Sequence, residues 1–439
     1  MFGGTRAVAF GEGDAKRVAW PVVTDAERAA VAGVLDSGAF TSVGAGHAVV
    51  HGLEQQWARF TGTAHCVAVS SGTTALELSL AAAGIEPGTE VLVPALSFVA
   101  SAVAPVHRLL VPVFVDIDPV TYTIDPVAAA AAVTSRTRAI LAVHLHGLPC
   151  DMAALRDLAD RHGLLLVEDA AQAHGARYRG RRAGALADVA AFSLNASKNL
   201  PTCGEGGLVT TDDPEFAARL LRYRQFGENL SGGGSRDYLS HVLAGNAKLG
   251  AVQAAFTRCQ LDRLADYDTV RDAVVPGLLA RLAALPGLIV PHCPPDRTHA
   301  WHMLRLRFDP AALGHPDVVP GALRALLHRV LRAEGVPIHQ YQPVPLPAQP
   351  AFVSRDGFGG YPWRLPGVPE PRYRAEDYPA ALAVIEDSLT LQRWHLNPAA
   401  EPLLRRCADA FEKVWEHLDT LAAVARARTY RPAWRRCAE

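Results

Sequence analysis

At 439 residues, with 49% hydrophobic and 20% charged residues and a formal net charge of -1, the chain has the length for two domains and the composition of an ordinary soluble globular protein. It lacks the basic excess of a nucleic-acid binder, and Gly, Pro or charge breaks its apolar runs before membrane-spanning length. Seven cysteines, at 66, 150, 203, 259, 293, 407 and 437, form no C-x-x-C pair, and the opening "MFGGTRAVAFGEGDAKRVAW" has no continuous apolar core. Together these predict reduced thiols, no secretory signal and a cytoplasmic location.

Residues 1–40 read as an N-terminal arm. From residue 41 to about 262, short apolar runs alternate with helical spacing. "CVAVS", "EVLVPA", "VPVFVDI", "AILAVHLHG", "LLLVEDA", "DVAAFSL" and "GLVTT" read as strands. "TTALELSLAAAG" and "DMAALRDLADRHG" read as helices between them, the second ending in basic residues and glycine. Strands that are apolar throughout are buried on both faces, which predicts an α/β, doubly wound and mostly parallel sheet. A further helix is expected from Pro214, and "GNAKLGAVQAAFTRCQLDRLADY" reads as an exposed loop entering a helix. After residue 262 the texture changes. Proline-rich stretches such as "PVPLPAQP" and "GGYPWRLPGVPEP" alternate with helical ones, which predicts a smaller C-terminal α+β domain over 263–439. The stretch 350–378 reads as an ordered functional loop, and Tyr361, Trp363 and Trp394 as core of the small domain or walls of a closed pocket.

Three features carry chemistry. In "VAVSSGTTALELSL" a strand turns into a helix through Gly72 and Thr73, whose backbone N–H groups suit a phosphate; a plain Ser N-cap is the other reading. In "LLLVEDAAQAHG" an apolar strand ends in Glu168 and Asp169, which point to opposite faces. A buried carboxylate is costly without a cationic partner, so Asp169 is expected to meet something positive; a salt bridge or a helix N-cap is the other reading. In "DVAAFSLNASKNLPTCGEGG", Lys198 is the only cation in twenty residues and follows a strand directly. A lysine near a buried site can lose its proton and form a Schiff base. Phosphate cradle, carboxylate and amine together match the needs of pyridoxal 5′-phosphate (PLP).

The motifs "SSGTTAL", "GTEVLVPALSFVAS", "VPVFVDIDPVTYTIDP", "VHLHGLP", "VEDAAQAHGA", "AFSLNASKNLPTCGEGG" and "GNAKLGAVQAAF" resemble, in this order, the DegT/StrS family of PLP-dependent aminotransferases, fold-type I enzymes that aminate keto-sugars or keto-cyclitols. The resemblance implies that Lys198 is the Schiff-base lysine and general acid–base, and Asp169 the partner of the pyridine nitrogen. It places Gln172 near the cofactor's 3′-oxygen, Ser193, Gly72 and Thr73 on the phosphate, and Phe98 against the ring. Asn246 matches an asparagine that reaches the phosphate of a neighbouring subunit, which implies a homodimer with shared sites. Glutamate or glutamine would be the donor and antibiotic biosynthesis the setting. Relatives that dehydrate sugars carry histidine at the lysine position.

Departures from the family pattern bear on the acceptor. Lys248 stands where an arginine is common and keeps the charge without the bidentate geometry. Pro347 stands where sugar-nucleotide enzymes commonly have histidine, and with Tyr361, Trp363 and Trp394 read as a closed pocket this favours a keto-cyclitol or simple keto-sugar over a nucleotide sugar. His144 and His146 have a spacing that could serve a metal but lack an evident third ligand, and His174 is either a pocket or a structural residue. Other PLP chemistry (dehydration, elimination or carbon–carbon bond reactions) and a non-catalytic regulatory homologue are the competing readings. The intact Lys198, Asp169 and Gly72–Thr73 set disfavours the last.

Overall fold

The computed structural model describes residues 4–229 and 238–437. All seven expected strands form one sheet: β1 His65–Val69, β2 Glu90–Pro94, β3 Val111–Val115, β4 Thr137–Val143, β5 Leu165–Asp169, β6 Val189–Ser193 and β7 Gly207–Thr211. Across the sheet the order is β1-β7-β6-β5-β4-β2-β3. Only β7 runs against its neighbours, pairing antiparallel with both β1 and β6. One apolar core covers each face, with Leu92, Ile140 and Leu166 on one side and Val91, Leu141 and Val167 on the other. This two-sided burial is why the strands lack polar alternation.

Local chemistry sets the helix ends. Ser71 caps Gly72–Ala82, and Gly163, at φ 62°, ends Met152–His162 behind Arg161 and His162. In the N-terminal arm, Thr24 and Glu27 close a capping box on Asp25–Ser37, which packs on the helix Ala251–Asp262. The long helix Leu264–Ala283 begins in the large-sheet core at Leu264 and ends in a separate core with Val275, Leu278 and Leu282.

That second core lies on a four-stranded antiparallel sheet, in spatial order β8 Leu288–Ile289, β9 Leu304–Phe308, β11 Ser388–Leu391 and β10 Ile338–His339. Helices Pro320–Ala333, Glu401–Trp415 and Leu418–Arg426 cover it. The proline-rich stretch returns to the large sheet. Phe352 and Tyr373 meet Phe114 edge-on at 5.3 and 5.1 Å, and the Tyr373 hydroxyl donates to the Pro112 carbonyl at 2.7 Å. Trp363, expected in the small-domain core or a pocket wall, packs with this large-sheet cluster and donates to Tyr373. Phe114 offers an apolar edge that the aromatics cover.

Candidate active site

The functional side chains gather at the carboxyl ends of the large-sheet strands, where loops leave the sheet and helices begin. There β1 turns through Ser71 into Gly72–Ala82. Ser71 Oγ accepts from the Thr74 N–H at 3.1 Å, and the Ala75 N–H bonds the Ser71 carbonyl. The N–H groups of Gly72 and Thr73 precede both bonds, so the helix gives them no partner and its dipole favours an anion. The Ser cap and the anion site are therefore compatible. Gly72 touches the end of β6: a Cβ there would lie 2.6 Å from that of Ser193. Any other residue would push these two walls apart.

The two carboxylates ending β5 divide as alternation requires. Glu168 is fully buried and accepts from the backbone of Gly184 (2.8 Å), Leu186 (2.7 Å) and Ala187 (3.1 Å). His144 completes its shell: Cys150 N–H donates to Nδ1 at 3.2 Å, which leaves Nε2 to donate to Glu168 at 3.0 Å. Glu168 is thus a structural anchor. Asp169 faces the other way, into a cavity of about 520 Å³. It accepts from Ser101 Oγ at 2.7 Å and from the Ala171 N–H at 3.3 Å. Burial raises its pKa against these bonds and the field of Lys198, and no ion pair reaches it among the described residues.

Lys198 lines the same cavity. Desolvation pulls its amine down to about 8, although Asp169 opposes the shift. The loop that carries it is tightly pinned: the Trp20 indole donates to the Lys198 carbonyl at 2.8 Å, and Leu194 N–H bonds Gly206 at 2.8 Å. Gly204 takes φ +136°, which favours glycine, and a Cβ on Gly206 would meet the Leu249 side chain at 3.0 Å, so the second glycine serves close packing.

Gln172, Ser193 and Phe98 also line the cavity. Gln172 Oε1 accepts from the His146 N–H at 2.7 Å, which fixes the amide. Phe98 is 54% exposed, an aromatic face left uncovered beside Lys198 and Asp169 rather than the core residue its apolar context suggests. Asn246 is not brought into this wall; it is exposed, in an irregular bridge to Gln225. Nearby, Lys248 places its ammonium 4.4 Å from the Phe226 ring centre.

The histidines resolve individually. His146 Nε2 accepts from Arg305 at 2.9 Å, so both residues of the 144/146 pair are engaged with protein groups. His174 is buried beside Trp57 and Phe192, behind the cavity wall, and burial depresses its pKa to about 3. Sequence reasoning missed Ser101, which lay within the quoted "LSFVAS". It also missed the wall that the small sheet contributes: Met303, Tyr341 and Arg393. None of those three has a local motif that could have marked it.

A model of the DegT/DnrJ/EryC1/StrS aminotransferase family matches residues 21–360. The dTDP-3-amino-3,4,6-trideoxy-alpha-D-glucose transaminase of Streptomyces venezuelae is 43% identical over 74% of this chain and 80% of its own length. The structure of S. venezuelae DesV in complex with a ketimine intermediate matches with TM-score 0.74 and 38% identity, over 89% of this chain and 94% of that one. The structure of 3-amino-5-hydroxybenzoic acid synthase matches with TM-score 0.77 and 32% identity, over 90% of this chain and 98% of that one.

Proposed function

The chain belongs to the DegT/DnrJ/EryC1/StrS aminotransferase family, and from that premise we propose that it moves an amino group from glutamate or glutamine to a keto-sugar or keto-cyclitol in antibiotic biosynthesis. It is a PLP-dependent aminotransferase of fold-type I. The observation that carries the reading is the convergence of Lys198, Asp169 and the Gly72–Thr73 helix start on one cavity.

These residues fit PLP. The glycine-tight helix start suits its phosphate, uncovered Phe98 its ring face, and Asp169 the protonated ring nitrogen that would complete an ion pair with it. When bound, PLP supplies an aldehyde for the amino group and a ring that draws electrons from the substrate carbon. Ser193 with the N–H groups of Gly72 and Thr73 would hold the phosphate, and Gln172 would face the 3′-oxygen. Asp169 would hold the proton on the ring nitrogen. Lys198, whose amine desolvation pulls down to about 8, would hold the cofactor and then carry the proton that leaves the substrate carbon.

Asn246 acts on the phosphate of a neighbouring copy, in a homodimer with shared sites; its exposure outside its own cavity supports this. The scattered thiols support a cytoplasmic location, and among the described residues no helix is long and apolar enough to cross a membrane. The test is to incubate purified protein with PLP, each donor and a panel of keto-sugars and keto-cyclitols. The aminated product should appear by mass spectrometry with at least one pair; no product across the panel overturns the acceptor class.

A further inference from the structure

A second chamber of about 370 Å³ adjoins the cofactor cavity and shares Ser197, Met303 and Arg393 with it. We propose that this chamber is a substrate subsite and that Arg393 reads a carboxylate on the molecule it holds. The inference rests on the aminotransferase reading and extends it to the substrate's charge.

Arg393 differs from the other arginines around it. Arg305 bonds three neutral acceptors, Arg307 pairs with Asp387, and Arg271 with Asp268. Arg393 is half-buried, and its guanidinium has no hydrogen bond or ion pair among the described residues. The carboxylates in the cofactor cavity are already engaged: Asp169 by Ser101 and Ala171, Glu205 by Asn195 at 2.6 Å. A guanidinium drawn partly out of water without an acceptor is costly, and an incoming anion would offset that cost. Desolvation does depress the Arg393 pKa, with Tyr341 opposing.

The backbone that carries the group is anchored. Arg393 follows the end of β11 and opens a 3₁₀ turn, Arg393–Leu396, whose His395 and Leu396 are buried. Its fork matches a planar carboxylate, and the chamber wall around it mixes apolar Val18, Trp20 and Trp394 with polar Ser197, His339 and Gln392. The carboxylate has two possible sources, an amino-acid donor or a ring acceptor that carries one. The chemistry is shared, and different probes separate the sources.

Holoenzyme would be titrated calorimetrically with glutarate, which stands for the donor, 3-hydroxybenzoate, which stands for a ring acceptor, and neutral glutaramide. Arg393→Gln should weaken at least one carboxylate about tenfold or more and leave glutaramide unchanged, while Arg393→Lys recovers part of the loss. Loss confined to glutarate assigns the donor; loss confined to 3-hydroxybenzoate assigns the acceptor. Unchanged affinity for both overturns the proposal. So does an Arg393-dependent affinity for dTDP alone, which would make the partner a phosphate. If Arg393→Gln misfolds, phenylglyoxal labelling of the wild type decides: either carboxylate should protect Arg393, and full labelling in the presence of both sinks the idea. The aminotransferase reading fails separately, by a visible cofactor band that neither glutamate nor glutamine changes.

Discussion

The cofactor cavity has two walls of different origin. One is built from the ends of β1, β5 and β6, where Gly72, Asp169, Ser193 and Lys198 sit on or just past rigid strands. The other comes from the small sheet, with Met303 before β9 and Arg393 after β11. The first wall is saturated with protein contacts that fix each group: Ser101 on Asp169, Trp20 on the Lys198 loop, the glycine contact between Gly72 and Ser193. The second presents a guanidinium with no hydrogen bond or ion pair among the described residues. Preorganised groups suit a reaction common to many substrates, and an open cation suits the part that varies. On the proposed assignment, cofactor chemistry belongs to the large-sheet wall and substrate choice to the small-sheet wall.

The sharpest way to break this division is Lys198→Ala. Borohydride should fix the cofactor to wild-type protein on the peptide that contains Lys198 and fail to do so in the variant. Turnover should fall by about 10²–10⁴-fold or more, since general acid–base catalysis alone contributes that much. A variant that still retains the cofactor covalently would move the chemistry to another lysine. Asp169→Asn should come next, with turnover lower by about 10²–10³-fold, because an electrostatic group aimed at developing charge is worth about that much. Its Ser101 bond can survive, so the fold should hold. Normal kinetics in Asp169→Asn would remove it from the site.

The walls also differ in how much of them was legible in the sequence. Each large-sheet residue sits within a few positions of a strand end, so local pattern and family motif located Gly72, Asp169 and Lys198 without long-range knowledge. The seven strands were legible for the same reason: two-sided burial writes itself as apolar runs. The antiparallel direction of β7 was not, because strand polarity leaves no mark on composition. Arg393 was harder. The quoted "SLTLQRWHLNP" contains it, yet its place at the cavity depends on Leu391 pairing with Leu304, eighty-odd residues away in the chain. Trp363 misled for a similar reason, since its partner Tyr373 is held by Pro112 of the large sheet.

A smaller effect is expected at the contact between the Gly72 and Ser193 strand ends. Gly72→Ala places a methyl 2.6 Å from the Ser193 Cβ, so the walls must separate. Overpacking of this kind costs about 1–3 kcal/mol, and the phosphate cradle is where the shift would occur. Cofactor affinity should fall by about tenfold or more, measured by equilibrium dialysis, with Arg393-dependent carboxylate binding unchanged. Equal losses on both walls would show that they are mechanically one unit.

The smallest effect is reserved for Trp20→Phe, which tests whether the N-terminal arm holds Lys198 or also tunes it. The ring of Trp20 meets Tyr267 edge-on at 5.6 Å, and phenylalanine can keep that contact. What is lost is one hydrogen bond to the Lys198 carbonyl, worth about 1 kcal/mol. Burial lowers the Lys198 amine, and loss of a bond to its backbone carbonyl should leave that burial in place. Because the folded-state pKa is lowered, the neutral amine gains ground as pH rises and reaches half at about 8, instead of near the ordinary lysine value. The rate of cofactor uptake by apoprotein should therefore climb with pH to a plateau past that point. In Trp20→Phe the plateau should drop several-fold while the midpoint stays near 8. A midpoint that moves upward toward ordinary lysine would mean that the arm itself keeps water from the amine, and the division between the two walls would then have a third contributor.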